Sequence, residues 1–146
     1  MINVPPVVQA LVAAILMSTV AIIDRQYSGM LRGIAVGLAF IGMAIAVIGV
    51  WQFKKHRTTV NPVSPEKSST LVTWGIYAYT RNPMYVGMVF VLIAWALWLG
   101  SAFSLIIVPL FMLSMTYLQI KREEIALQQI FGDDYIEYSN KVRRWL

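Results

Sequence analysis

The 146-residue sequence contains no cysteine and a single histidine, His56. The first absence excludes disulfides, thiolate metal sites and a cysteine nucleophile. The second leaves no set of imidazoles to hold a metal ion, so no metal is expected. Charge is also scarce, at 13% of residues, and the 7 acids are outnumbered by 12 Lys and Arg. None of those acids falls inside the long apolar blocks, where an ion or proton transporter is expected to place one. A basic surplus in a soluble chain suggests nucleic acid. Here the bases gather beside apolar blocks and no aromatic-basic patch accompanies them, so no nucleic-acid partner is expected.

What is abundant is apolar surface. Hydrophobic residues make up 58% of the chain, against about 45–50% in soluble domains. They fall into four blocks, at about 7–23, 33–53, 83–99 and 102–120, each close to the roughly 20 residues that cross a bilayer. The expected fold is an all-α integral membrane protein. One domain, 1–146, would hold four transmembrane helices in two hairpins, a long connection at 54–82 and an amphipathic helical tail at 121–146.

Local signals refine this outline. Pro5 and Pro6 suit a helix start. The block after them reads as a span, not a cleaved leader, since no Lys or Arg precedes it and no small-residue cleavage site follows. Gly33 and Gly37 form a G-x-x-x-G pair, with Gly42 and Gly49 beyond; such residues let membrane helices approach closely, and glycine is also simply common there. Gly100 and Ser101 read as a helix stop and a new N-cap, and Pro109 predicts a kink in the fourth block. Leu127, Phe131 and Tyr135 follow one another at i+4 steps in the tail, with Gly132 interrupting the helix.

The connection between the second and third blocks carries Lys54, Lys55, Arg57, Lys67 and Arg81 against Glu66, whereas the first connection carries Arg25 and Arg32 against Asp24. The positive-inside rule then places the long connection and both termini in the cytoplasm, with membrane lipids as surroundings and a bacterial or archaeal inner membrane as the expected home.

Two polar clusters should meet at that cytoplasmic face: Arg81, Asn82 and Tyr85 at the start of the third block, and Arg122, Glu123 and Glu124 after the fourth. Asn82 and Pro83 form a suitable N-cap and N1 pair, and a helix start beside Arg81 can attract a carboxylate. Capping by Asn82 and headgroup anchoring by Arg81 account for the same residues. Glu123 and Glu124 stand where a helix C-terminus disfavours acids, which calls for a continuing helix or a nearby cation. On a continuing helix only one of the two is expected to face inward.

The ordered set Leu71-Val72-Thr73-Trp74-Gly75-Ile76-Tyr77, Arg81-Asn82-Pro83-Met84-Tyr85-Val86-Gly87 and Glu123-Glu124-x-x-Leu127-x-x-x-Phe131-Gly132-x-x-Tyr135-x-x-Tyr138, with Val142 and Arg143, resembles the isoprenylcysteine carboxyl methyltransferase family and its phospholipid methyltransferase relatives. The match runs from about Phe53 to the C-terminus. It implies an integral membrane methyltransferase that uses S-adenosylmethionine and acts on a lipophilic or lipid-linked substrate. By the same resemblance Gly75, Tyr77, Arg81, Asn82, Pro83, Tyr85 and Gly87, with Glu123 or Glu124, would hold the cofactor. Glu123, Glu124 and Arg122 would be the catalytic candidates, and Arg122 and Arg143 weaker substrate contacts. Asn82 stands where the eukaryotic pattern has histidine, and Ile76 where proline is usual; a role that needs an imidazole is thereby put in question. A small four-span transporter or a non-catalytic membrane scaffold is the alternative reading of the apolar blocks alone.

Overall fold

The computed structural model describes residues 4–24, 30–55 and 70–146, with side chains placed for 31–52 within the second stretch. His56, Arg57, Glu66, Lys67 and the prolines of the long connection, like Arg25 and the side chains of Lys54 and Lys55, lie outside the described residues, and with them much of the basic loop that sets the expected orientation.

Every regular element among the described residues is helical. In chain order they are α1 (Pro6–Ile23), α2 (Met30–Lys55), α3 (Pro83–Leu99), α4 (Ile107–Met115), α5 (Lys121–Phe131) and α6 (Asp133–Lys141). Short 3-10 turns occupy Gly75–Ala78 and Phe103–Ile106, and a π-helical segment, Thr116–Ile120, joins α4 to α5. Among the described residues, three helical runs are long and apolar enough to cross a membrane: Pro6–Ile23, Leu31–Gln52 and the continuous Phe103–Phe131. The apolar helix α3 is shorter. Its 17 residues rise about 25 Å at 1.5 Å each. The chain is an integral membrane protein, and its outer faces are apolar, as lipid-facing surfaces are: Phe40 is 73% exposed and Ile23 89%.

The core joins α1, α3 and α4 through Ala13, Met17, Leu92, Ala96, Val108, Phe111 and Met115. Directions follow from the pairs that meet. Ser104 Oγ donates to the Met17 carbonyl (2.9 Å) and Ser114 Oγ to Gln9 Oε1 (2.7 Å), so α1 and the run from Phe103 are antiparallel. At the end opposite the polar clusters, buried Asp24 accepts from the Phe103 N–H (2.9 Å) and from Ser101 Oγ (3.3 Å). It satisfies donors that a starting helix leaves free. Gly100 closes α3 in the left-handed region, φ 70°, and Ser101 Oγ accepts the Ser104 N–H, as the Gly-Ser pair predicts.

Four expectations need correction. First, the close approach is not at Gly33 and Gly37, where an added β-carbon would meet nothing within 4 Å. It is at Gly42, where that carbon would stand 2.7 Å from the Gly87 carbonyl oxygen, and at Gly87, 2.9 Å from Ala46 Cβ. The seam is set by which face of α2 meets α3, and periodicity within α2 alone does not reveal that. Second, the irregularity is not confined to Pro109: this residue stands in the first turn of α4, directly after the 3-10 turn Phe103–Ile106, and a π segment follows at Thr116–Ile120. Third, the fourth block does not end at Ile120, because the helix continues through α5 and carries the two acids with it. Fourth, Asn82 occupies the N-cap position of α3 but makes no side-chain cap.

Candidate functional site

The starting turn of α3, the first turns of α5, α6 and the last residues of the chain converge at one end of the bundle. Gly75 begins the approach. Its φ of 65° and the Gln52 amide packed against it leave no room for a side chain. The turn it sets buries Tyr77, whose carbonyl accepts from Tyr138 Oη at 2.7 Å. Pro83 at N1 fixes the entry of α3, while the Asn82 carbonyl takes the Tyr85 and Val86 N–H groups (both 3.0 Å).

The side chain of Asn82 is used elsewhere: its Nδ2 donates to the Arg144 carbonyl at 2.8 Å. The same carbonyl accepts from Thr80 Oγ1 (3.3 Å), and the Arg143 carbonyl accepts from the Arg81 N–H (3.0 Å). Trp145 Nε1 donates to Thr116 Oγ1 (3.2 Å) in the π segment. Segment 143–145 is thus fastened across the beginning of α3 and onto the long helix.

The acids divide the work. Glu123 Oε1 accepts from Tyr85 Oη and from Gln119 Nε2, both at 2.6 Å. These donors are neutral, and no Lys or Arg pairs with Glu123 among the described residues. Glu124 lies between two guanidiniums. Arg144 Nε donates to Oε1 (2.9 Å) and Nη2 to Oε2 (2.7 Å), while Arg81 Nη2 approaches Oε1 at 3.2 Å. Arg81 Nη1 also donates to Tyr135 Oη (3.3 Å), and its buried Nε has no hydrogen-bond partner. The expectation that only one acid faces inward is corrected. Neighbouring residues on a helix stand about 100° apart, and the packing around α5 reaches both: Glu123 meets Tyr85, Glu124 meets Arg81 and Arg144, and both carboxylates line the same cavity.

That cavity encloses about 80 Å³ and is lined by Leu71, Val72, Met84 and Leu127 besides Tyr77, Arg81, Asn82, Tyr85, Glu123, Glu124, Tyr135 and Tyr138. Burial pushes the phenols of Tyr77 and Tyr138 up, and with Glu124's charge adding to burial the Tyr135 phenol is pushed up to about 12. All three stay neutral hydroxyls and cannot serve as bases near neutral pH. The hydrogen bonds to Glu124 hold the Arg144 guanidinium even more firmly protonated than usual.

Of the residues singled out in the sequence, the structure brings Tyr77, Arg81, Asn82, Tyr85, Glu123 and Glu124 to this cavity. Gly75, Pro83 and Gly87 do not line it; they shape the turn, the helix start and the seam with α2. Arg122 is exposed and outside the lining, and Arg143 contributes its carbonyl while its side chain is exposed. Sequence reasoning missed Arg144 and Gln119. Arg144 has no periodic signal, being one of two adjacent arginines at the chain end. Gln119 lies four residues before Glu123, a spacing that places both on one helix face and could have found it.

Residues 31–134, more than half of the chain, match the phospholipid methyltransferase family. Among curated proteins, the chain is 46% identical over 63 residues to an uncharacterized protein of Haemophilus influenzae, covering 43% of this chain and all of that one. It is 31% identical over 108 residues to the protein-S-isoprenylcysteine O-methyltransferase of Schizosaccharomyces pombe, covering 74% of this chain and 46% of the relative. It is 36% identical over 89 residues to the enzyme of that name from Xenopus laevis, covering 55% and 28%. The chain therefore spans less than half the length of these two named methyltransferases. No solved structure matches it at a significant level.

Proposed function

Because the chain belongs to the phospholipid methyltransferase family, we propose that it is an S-adenosylmethionine-dependent methyltransferase of the membrane, acting on a lipophilic or lipid-linked acceptor. One observation carries the reading. A single cavity holds two groups of unlike character: two guanidiniums share Glu124 and leave one positive charge over, while the buried carboxyl of Glu123 has only neutral partners and no cation of its own among the described residues. A zwitterionic amino-acid moiety matches that arrangement, its carboxylate toward Arg81 at the start of α3 and its cationic groups toward Glu123.

S-adenosylmethionine fits this donor set. When bound it supplies a methyl group already activated on a sulfonium. The protein's share is alignment and exclusion of water. Arg81, with its unpartnered buried Nε, would hold the carboxylate; Glu123, kept in place by Tyr85 and Gln119, would face the positive charge; Leu71, Val72, Met84 and Leu127 would cover the apolar parts. The enclosed volume of about 80 Å³ is below the roughly 300–1,000 Å³ of small-molecule sites. The cofactor would therefore reach beyond this cavity. An acceptor carboxylate needs no base near neutral pH; an amine acceptor does, and Glu123 is the group for it, since the tyrosines stay protonated.

A lipid-linked acceptor is supported by an open apolar groove of about 610 Å³ between α1, α2 and α3, floored by Ala39, Gly42, Ala46 and Gly87. Met88, less than a turn beyond Tyr85, lines it, so a chain lying there ends close to the polar cavity. We further propose a single domain with four spans in two hairpins, α3 crossing with the bilayer locally thinned, and with the cavity and both termini facing the cytoplasm. Incubating the purified protein with methyl-labelled S-adenosylmethionine and a membrane lipid extract tests the reading. Label transferred to an extractable lipophilic product is expected; no transfer by folded protein, across extracts from several sources, contradicts it.

A further inference from the structure

We propose that Arg144 is a positioning residue whose role is to keep Arg81 electrically available by occupying Glu124. This inference rests on the cofactor reading above and assigns a task to a residue that the resemblance leaves out. Glu124 is within reach of two guanidiniums, and they hold it unequally. Arg144 takes both oxygens in a fork (Nε to Oε1 2.9 Å, Nη2 to Oε2 2.7 Å), whereas Arg81 makes one longer contact at 3.2 Å. The bidentate geometry is the stronger of the two. Arg81 therefore keeps most of its positive charge uncommitted, with its Nε buried and without a partner.

Without the Arg144 side chain, Arg81 and Glu124 would form an ordinary one-to-one pair. That pair is neutral, and the helix start beside it loses its attraction for a carboxylate. The backbone fastening of the tail is separate from this effect. Thr80 and Asn82 bond the residue-144 carbonyl, and Arg81 N–H bonds the carbonyl of 143. Those bonds persist when residue 144 is alanine.

The placement gives a signature that a merely structural arginine lacks. Arg144→Ala should weaken binding of S-adenosylhomocysteine by about tenfold, the worth of one charge-assisted contact. Adding Glu124→Gln to that variant removes the acid that neutralises Arg81, and should recover most of the affinity. Arg144→Lys, which keeps the charge and loses the fork, should fall between wild type and Arg144→Ala. In turnover, Arg144→Ala should raise KM for S-adenosylmethionine with kcat little changed.

The experiment is calorimetric titration of the full-length protein in detergent with S-adenosylhomocysteine, across wild type, the three variants and Glu124→Gln alone. Thermal midpoints are measured alongside. Recovery in the double variant supports the proposal. A double variant that binds as poorly as Arg144→Ala, or worse, overturns it while leaving the cofactor site standing. Wild type that is folded yet does not bind overturns the cofactor reading, and this inference with it.

Discussion

The seam between α2 and α3 and the polar junction at the start of α3 begin within a few residues of each other, yet they hold by opposite means. In the seam Gly42 and Gly87 bring backbone against backbone, with Ala46 beside them and no charge involved. In the junction Arg81, Tyr85, Gln119, Glu123, Glu124 and Arg144 are held by directed bonds between 2.6 and 3.3 Å. The seam is a packing device for a lipid environment, where small residues permit close contact. The junction gathers ionisable groups at the membrane boundary, where they are costly unless they are used. Two residues, Gly87 and Tyr85, divide the same helix between the two tasks.

The comparison can be broken most sharply in the junction. Arg81→Ala should lower affinity for S-adenosylhomocysteine by about 10–100-fold, and Glu123→Gln by about tenfold, from the loss of charge-assisted contacts. Both should leave the thermal midpoint close to wild type, which calorimetry and a melting curve in detergent read together. Equal losses of binding and stability would make the junction a structural lock and not a site.

The seam should respond in the other coordinate. Leucine at Gly42 or Gly87 forces α2 and α3 apart and should cost about 1–3 kcal/mol of stability, seen as a lowered midpoint. Leucine at Gly33 or Gly37, where nothing lies within 4 Å, should change it by less than about 0.5 kcal/mol. A drop at Gly33 equal to that at Gly42 would mean that the first pair also packs against a partner. The smallest effect is expected at Asn82→His: an imidazole N–H can replace Nδ2 as donor to the Arg144 carbonyl, so binding should stay within about threefold of wild type, a margin of about 0.65 kcal/mol. Complete loss would show that the amide geometry itself is required.

The two regions also differ in how far the sequence discloses them. The apolar blocks, the stop at Gly100 and the break at Gly132 are local signals, and hydropathy or a single residue's conformational freedom is enough to read them. The seam is half legible: glycines are visible, but choosing Gly42 over Gly33 requires the facing helix. The junction is legible only as convergence. Arg81, Tyr85, Glu123 and Glu124 stand out, and the resemblance gathers them. Apart from Gln119, 4 residues before Glu123, their side-chain partners come from 20 to 54 residues away, and no periodicity connects Arg144 to Glu124 or Asn82. The remaining miss has the same origin. Counting 3.6 residues per turn sets the two acids about 100° apart, but Arg81 and Arg144 close over Glu124 while Tyr85 takes Glu123, so both line the cavity.

The most direct test of the central claim is calorimetric titration of S-adenosylhomocysteine into the wild-type protein, with Arg81→Ala in parallel at a matched thermal midpoint. Saturable one-to-one binding by wild type, weakened in the variant, is the predicted result. Folded wild type that takes up no ligand, or a variant that binds as tightly as wild type, would contradict a cofactor site at this junction.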